Sequence, residues 1–354
     1  MPAAHADDGT VGRVSASGTN GVTSVAVLGG GTVGTEVVRL LQANDAFSVV
    51  GVLVRDLARE RGFDRWSDLV TDDHGVIEGA DVVVEVMGGT TVAADLSLAA
   101  LGAGSRLVTA NKAALAERWD EFLPYLAGGA VSLEAAVMAG VPVVGSLTGP
   151  LRGCTPVALH AVLNGTCNVI LSAMEQGAEY EAALADAQRL GYAEADPTLD
   201  VGGFDAAHKL SVLARLAFAP DLDYASVRSR TTGIERVSAA LVAAHAARGR
   251  SIRLVGSVAW SDGAWRASIA PVSLPVGHPL VTSGPTNTML FQGDPLGMVL
   301  LRGPGAGGGA TASAVVADVM ASARGVPGHV PVLRAAARPA GYPGDPDIES
   351  IVTA

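Results

Sequence analysis

Two groups of residues in this chain have types and spacings suited to chemistry: a glycine triad and an acid-rich segment that ends in a lysine. Gly29-x-Gly31-x-x-Gly34, with Thr32 and Val33 between the last two glycines, follows a short apolar run and precedes helical sequence. In that context the first glycine makes a tight turn, the second lets a pyrophosphate approach the backbone, and the third packs the helix on the strand. About 20 residues further on, a carboxylate would bind a ribose 2′-hydroxyl and an arginine a 2′-phosphate. The chain offers Arg55-Asp56, so both NAD and NADP stay open. Asn111-Lys112 follows another apolar run, at what would be the carboxyl edge of a sheet, where open α/β folds bind ligands. A solvated lysine at a helix start is the plain alternative. Gly191 to Lys209 gathers Glu194, Asp196, Asp200 and Asp205 around a second helix start. Asp205 and Lys209 are spaced i,i+4, a pair worth only a few tenths of a kcal/mol (~0.3–0.5) on an open surface. Leu210, Val212 and Leu213 surround that lysine with apolar neighbours. A partly buried lysine held by a carboxylate can be tuned as a proton donor. His208 reads as a surface or core histidine of that helix rather than a ligand.

These groups need elements to carry them. Val25 to Leu28, Phe47 to Val54, Asp81 to Met87 and Arg106 to Thr109 read as buried strands, each followed by helical sequence. That alternation predicts an α/β fold with a Rossmann-type doubly wound parallel sheet. Pro, Gly and Thr accumulate over residues 140–156 and break the alternation, which divides the chain there. Beyond it, a strand at Val157 to Leu163, helices near Cys167 to Gln176, Glu179 to Leu190 and Phe204 to Phe218, and strands near Ile252 to Trp260 and Trp265 to Ala270 predict an α+β domain with some antiparallel pairing. A second glycine-rich stretch, Gly303 to Gly309, precedes a helix that Thr311 or Ser313 could cap. The expected organisation is a disordered leader over 1–22, a dinucleotide domain over 23–150, a second domain over 151–304, a helix at about 305–325, and an irregular tail over 326–354.

Composition limits the alternatives. The chain has 354 residues, too many for one small module, and its hydrophobic content of 49% supports a full core. A net charge of −11 disfavours nucleic acid as a partner. Cys154 and Cys167 are too few for a disulfide framework or a zinc site and are read as reduced. The leader lacks the apolar core of a signal peptide. Residues 153–174 are uncharged, but Pro156, His160, Asn164, Gly165 and Asn168 interrupt them, so no membrane span is expected and the cytoplasm is the expected location.

Several segments together resemble homoserine dehydrogenases: LGGGTVG from Leu28, TANKAALA from Thr109, EAAVMAGVPV from Glu134, NGTCNVIL from Asn164, GYAEADPTLDVGGFDAAHKL from Gly191 and GPGAGGGATASAVVADV from Gly303. The resemblance implies reversible hydride transfer between NAD(P) and the L-homoserine/L-aspartate 4-semialdehyde pair, in threonine, methionine and isoleucine biosynthesis. It implies that Lys209 is the proton donor, with Lys112 and Asp205 in the catalytic set. It further implies that Glu194 holds the substrate ammonium, with Asp200 and Asp205 as its neighbours and Thr166 as a substrate hydrogen-bonding group. Lys112 and Gly305 would also meet the cofactor, the late glycines returning the last helix to the nucleotide domain. Glu134 and the carbonyls of Val137, Ala139 and Val141 match a monovalent-cation site, a hard oxygen set suited to Na⁺; a buried glutamate satisfied by backbone is the alternative. A homodimer formed through the second domain is also implied.

Two departures stand out. Only 35 residues follow Val319, too few for the regulatory βαββαβ module of many relatives. Gly30 replaces a larger residue and is expected to loosen the loop. The competing readings are another amino-acid dehydrogenase, such as one acting on aspartate, and an inactive regulator that senses NAD(P)H.

Overall fold

The computed structural model describes residues 21–339, 345 and 347–351. The expected leader therefore lies almost wholly outside the described residues, and so does part of the tail.

The first half alternates strand and helix: β1 (Thr23–Leu28), α1 (Thr32–Gln42), β2 (Phe47–Leu53), α2 (Trp66–Leu69), β3 (Val70–Thr71), β4 (Val82–Glu85), α3 (Val92–Gly102), β5 (Arg106–Thr109), α4 (Lys112–Glu117), α5 (Trp119–Ala127) and β6 (Val131–Ser132). Its six strands run parallel in the order β3-β2-β1-β4-β5-β6. The order reverses between β1 and β4, which opens a crevice at their carboxyl ends. Ala26, Val27 and Leu28 are wholly buried, as a central strand covered on both faces requires.

After α6 (Val143–Thr148) come β7 (Thr155–Val162), α7 (Gly165–Glu175), α8 (Tyr180–Arg189), α9 (Thr198–Val201), α10 (Phe204–Ala217), α11 (Tyr224–Arg228) and α12 (Ala239–Ala246). The chain then forms β8 (Arg250–Ser261), β9 (Ala264–Pro275), β10 (Thr286–Asp294), β11 (Gly297–Pro304), α13 (Gly308–Ala323) and β12 (Glu349–Ser350). The second sheet has six strands in the order β11-β10-β7-β8-β9-β12, and every neighbouring pair is antiparallel. Antiparallel pairing is thus complete rather than partial, and the β10–β11 hairpin is an element that the sequence reading lacks. One apolar core continues from Leu107, Leu115 and Leu133 through Val144 and Leu147 to Leu159, Leu171, Leu210 and Phe218, joining the two sheets.

Helix α13 returns to the parallel sheet, where Ala312, Val315 and Val319 share a core cluster with Val25, Val27, Val37 and Leu41. Small residues permit this close approach; a Cβ on Gly308 would lie 2.8 Å from Thr32 Cγ2. The helix starts earlier than the capping expectation implies. Its N-cap is Gly307, no side chain caps it, and the Thr311 amide already donates within the first turn to the Gly307 carbonyl.

The described part of the tail packs against the rest of the fold. The Gly328 and His329 amides donate to the carbonyls of Gly129 and Val131, and those of Val332 and Ala336 to Leu216 and Phe218. The Trp265 indole donates to the Ala336 carbonyl at 2.9 Å, and β12 pairs with β9.

Candidate active site

The glycine triad forms the first wall of the site. Gly29 has φ +113°, open to glycine at little cost, and a Cβ on Gly34 would stand 1.8 Å from the Gly29 carbonyl oxygen. A Cβ on Gly31, by contrast, would meet nothing within 4 Å, and Gly31 is the N-cap of α1 with no side-chain cap. The first-turn amides of α1, including those of Thr32 and Val33, are thus left for an anion, and the loop fits a dinucleotide pyrophosphate.

Gly30 does not loosen this loop, which corrects the expectation. Arg61 occupies the space: its Nε donates to the Gly30 carbonyl at 3.3 Å, and a Cβ at Gly30 would come within 2.7 Å of that nitrogen. Arg61 also donates to the carbonyls of Arg59 and Asp56. Of the expected ribose contacts, the Asp56 carboxylate accepts the amides of Ala58 and Arg59, whereas Arg55 is exposed beside the loop.

A cleft of about 320 Å³ opens at the carboxyl end of the parallel sheet. Val33, Val86 to Gly88, Met138, Gly305 to Gly307 and both Lys112 and Lys209 line it. Three elements bring the charged groups together. Lys112 is the first residue of α4, whose N-cap Asn111 accepts the Ala114 amide. Asp205 and Lys209 lie one turn apart on α10, which packs on α4. Asn164 caps α7 by accepting the Cys167 amide at 2.8 Å.

Asp205 is the hub. Its Oδ2 accepts Lys209 Nζ at 2.7 Å and Asn164 Nδ2 at 3.0 Å, and its Oδ1 stands 3.4 Å from Lys112 Nζ. Burial alone would push this carboxyl up, but Lys209 and then Lys112 outweigh it and hold it well below the usual carboxylate range. Lys209 also donates to the Leu163 carbonyl at 2.8 Å. An ammonium has three N–H donors, so one is left for a group in the cleft. Asn287 donates to the same carbonyl at 3.0 Å, and Gly305 must be glycine because a Cβ would come within 2.2 Å of the Asn287 side chain.

Beside this pair, Asp200 Oδ1 accepts the second Asn164 donor at 2.7 Å. Thr166 Oγ1 lies 2.6 Å from the Tyr192 carbonyl and 3.3 Å from Asp200 Oδ2. Burial pushes Asp200 up, Asn164 lowers it, and the Asp205 charge adds to the rise. Such a carboxylate gains from a cation brought into the site. The fold therefore gathers Lys112, Asn164, Thr166, Asp200, Asp205 and Lys209, but not Glu194. That residue is exposed on the loop before α9, and among the described residues its side chain has no hydrogen-bond or ion-pair partner.

The sequence reading assigned no role to three residues here. Asn164 carried a signal, since an Asn three residues before the Cys167 amide at a helix start is a capping pattern. Arg61 carried none. Glu85, wholly buried at the end of β4, lies within an apolar strand pattern that hides it. His208, read as surface or core, donates from Nε2 to the Glu117 carboxylate on α4 at 2.8 Å and stacks on Tyr224.

The proposed cation ligands are placed differently from one another. Glu134 Oε1 and Oε2 accept the amides of Val144 and Gly145 at 2.8 and 2.6 Å, and burial pushes the carboxyl up. Its own amide donates to Asp318 Oδ2 on α13, and His329 Nε2 is 3.7 Å from Glu134 Oε2. Both oxygens of the side chain thus accept backbone amides. The turn that follows holds Met138 and Ala139 at φ 60° and 52°, and the Val141 carbonyl accepts the Val143 amide at 2.7 Å.

A dinucleotide loop, a cleft at the switch point and a paired lysine facing it define a nicotinamide-dependent dehydrogenase. Comparison with known proteins narrows this. Residues 29–124 match the model of the NAD-binding domain of homoserine dehydrogenase, and residues 142–320 match the homoserine dehydrogenase model. The homoserine dehydrogenase of Corynebacterium glutamicum is 38% identical over 327 residues, covering 87% of this chain and 73% of the relative. That of Mycobacterium tuberculosis is 40% identical over 321 residues, covering 85% and 72%. Among solved structures, the homoserine dehydrogenase of Thiobacillus denitrificans aligns with a TM-score of 0.77 at 33% identity, over 85% of this chain and 73% of that one. A hyperthermophilic archaeal homoserine dehydrogenase in complex with NADPH aligns with a TM-score of 0.70 at 25% identity, over 87% and 99%. The chain belongs to the homoserine dehydrogenase family.

Proposed function

We propose that this chain interconverts L-homoserine and L-aspartate 4-semialdehyde with NAD(P), and that Lys209 handles the proton. The observation that carries this reading is the shared carboxylate: Lys209 and Lys112 both face Asp205 and both line the cleft. When bound, the nicotinamide ring accepts or delivers the hydride. In reduction, the third N–H of Lys209 donates its proton to the carbonyl oxygen as the C–H bond forms. In oxidation, the neutral amine takes the hydroxyl proton as the hydride leaves carbon. Asp205 holds the lysine on line, and Lys112 adds positive charge where the alkoxide develops. We assign the substrate ammonium to Glu194 with Asp200 beside it, and a substrate hydrogen bond to Thr166. The loop bearing Glu194 is tied to Thr166 through the Tyr192 carbonyl.

Four smaller assignments accompany this reading. The dinucleotide unit is 23–150 with α13 added, and the substrate unit is 151–304. Arg55 meets a 2′-phosphate when NADP is bound. A monovalent cation such as Na⁺ would rest on the carbonyls of Val137, Ala139 and Val141 more than on Glu134, whose carboxylate is taken by two amides. The dimer would form through the antiparallel sheet, whose edge strand β11 exposes Met298 and Leu300. No helix among the described residues is long and apolar enough to cross a membrane.

The test is reduced-nicotinamide absorbance with L-homoserine and either NAD⁺ or NADP⁺, with L-aspartate in parallel. Turnover with homoserine supports the reading. Turnover with aspartate alone identifies a different dehydrogenase, and cofactor binding without turnover on either identifies a regulator.

A further inference from the structure

Glu85 is a carboxylate that is 1% exposed and has no cationic partner among the described residues. Its two oxygens serve two tasks, and the Asn111 side chain adds a further hydrogen bond to the carboxylate. Oε1 accepts the amides of Met87 and Gly88, both at 2.9 Å, and these residues line the cleft. Oε2 accepts the Thr109 hydroxyl at 2.8 Å across the β4–β5 step. Thr109 Oγ1 in turn accepts the Asn111 amide at 3.0 Å, Asn111 caps α4, and Lys112 is the first residue of that helix. Asn111 Nδ2 closes the circuit by donating to the Gly89 carbonyl at 2.7 Å, back on the cleft loop.

We propose that Glu85 is a positioning residue that sets the cleft floor with one oxygen and, through Thr109 and Asn111, the start of α4 and its Lys112 with the other. The relay has a fixed direction. Thr109 is buried, and its hydroxyl can accept from Asn111 while donating only if an acceptor faces it. Glu85 Oε2 is that acceptor. A glutamine could keep Oε1 on the two amides, but its NH₂ would then meet the Thr109 hydroxyl as a second donor. Glu85→Gln therefore reverses this link and leaves the Thr109 proton without its acceptor, Thr109→Val removes the link, both spare the cleft floor, and Glu85→Ala removes both functions.

The kinetic half of this inference rests on the homoserine reading, and the binding half does not. Each variant would be examined by homoserine oxidation, by titration of reduced-nicotinamide fluorescence and by thermal melting. Glu85→Gln and Thr109→Val should each lower kcat by about 10- to 100-fold, the scale of a misplaced catalytic group, with cofactor affinity retained. The double variant should be no slower than the slower single one, because both break one relay. Glu85→Ala should in addition weaken cofactor binding by about 10-fold or more. A folded Glu85→Gln or Thr109→Val with wild-type kcat would overturn the proposal, as would multiplicative losses in the double variant or equal cofactor affinity in Glu85→Ala and Glu85→Gln. Should Glu85→Gln not fold, Thr109→Val alone decides the relay. A wild-type protein inert toward homoserine would refute the function reading, while the titrations would still test the cleft floor.

Discussion

Replacing Asp205 by Asn keeps the shape of the side chain and removes the negative charge that two ammonium groups share. Lys209 is 11% exposed and Lys112 39%, so the two do not suffer equally. Breaking a buried ion pair costs about 3–5 kcal/mol, because one charge is left behind without a partner. The Lys112 share is screened, since that side chain can turn toward water, which leaves a net loss of about 3 kcal/mol, mostly from Lys209. The activity loss should be larger than stability alone implies. Lys209 would keep the Leu163 carbonyl but meet a neutral amide in place of the charged carboxylate that aims its third N–H, so kcat should fall at least about 100-fold, the lower end for a positioned acid or base. The pH dependence has a definite sign. The folded-state pKa of Asp205 is depressed, so its stabilisation is fully present above the unfolded value of about 3.9 and is lost only as pH falls through the lower folded value. The stability gap between wild type and variant should therefore be constant between about pH 5 and 8 and close only in stronger acid. Urea unfolding across that range, with initial rates of homoserine oxidation, measures both quantities. An unchanged unfolding midpoint with near-wild-type kcat would show that Asp205 holds neither lysine in solution.

Other outcomes are expected. Lys209→Met, which keeps length without charge, should lower kcat by about 100-fold or more while leaving the fluorescence-titrated cofactor affinity in place. Glu194→Ala and Asp200→Asn should both raise KM for homoserine; a charge-assisted contact worth about 1.5–3 kcal/mol corresponds to a rise of about 10-fold or more, and the larger rise identifies the ammonium partner. Arg55→Ala should impair use of NADP more than NAD in parallel kinetics, and equal losses would place Arg55 away from the ribose. At the α13 contact, burial pushes Asp318 up to about 7 and His329 down to about 4. The raised acid loses stability as pH rises through its folded value, whereas the lowered base loses stability as pH falls. The two slopes oppose each other between about pH 4 and 6.5. Relative to wild type, Asp318→Asn should therefore make stability rise more steeply with pH over that interval, and His329→Gln less steeply, as followed by thermal melting.

The parallel half was legible because its strands are short apolar runs buried on both faces and its loop is fixed by glycine geometry. The β10–β11 hairpin was not. β11 exposes Met298 and Leu300 and half-buries Val299 and Leu301, so its hydrophobicity is nearly continuous and carries no clear period. Lys112, Asp205 and Lys209 were found separately, by motif and by spacing. Their meeting depends on α4 packing against α10 across many intervening residues, which local pattern does not encode. Arg61 fills the space over Gly30 from another loop, so the extra glycine read as slack where the fold has a tight contact. Glu194 marks the opposite case: resemblance singles it out, and the folded chain leaves it in solvent.

The return of α13 to the first sheet has a consequence for synthesis. Val25, Val27 and Val37 are in the chain early, yet their partners Val315 and Val319 are translated much later. Until then, one face of the nascent parallel sheet lacks its cover, and the strands must wait with apolar residues accessible. Contacts of such long sequence separation slow folding and prolong exposure to aggregation. A ribosome stalled before residue 308 should thus hold a partly closed nucleotide half that binds chaperones more strongly than the released chain. Supplying residues 308–323 in trans as a peptide should relieve that binding.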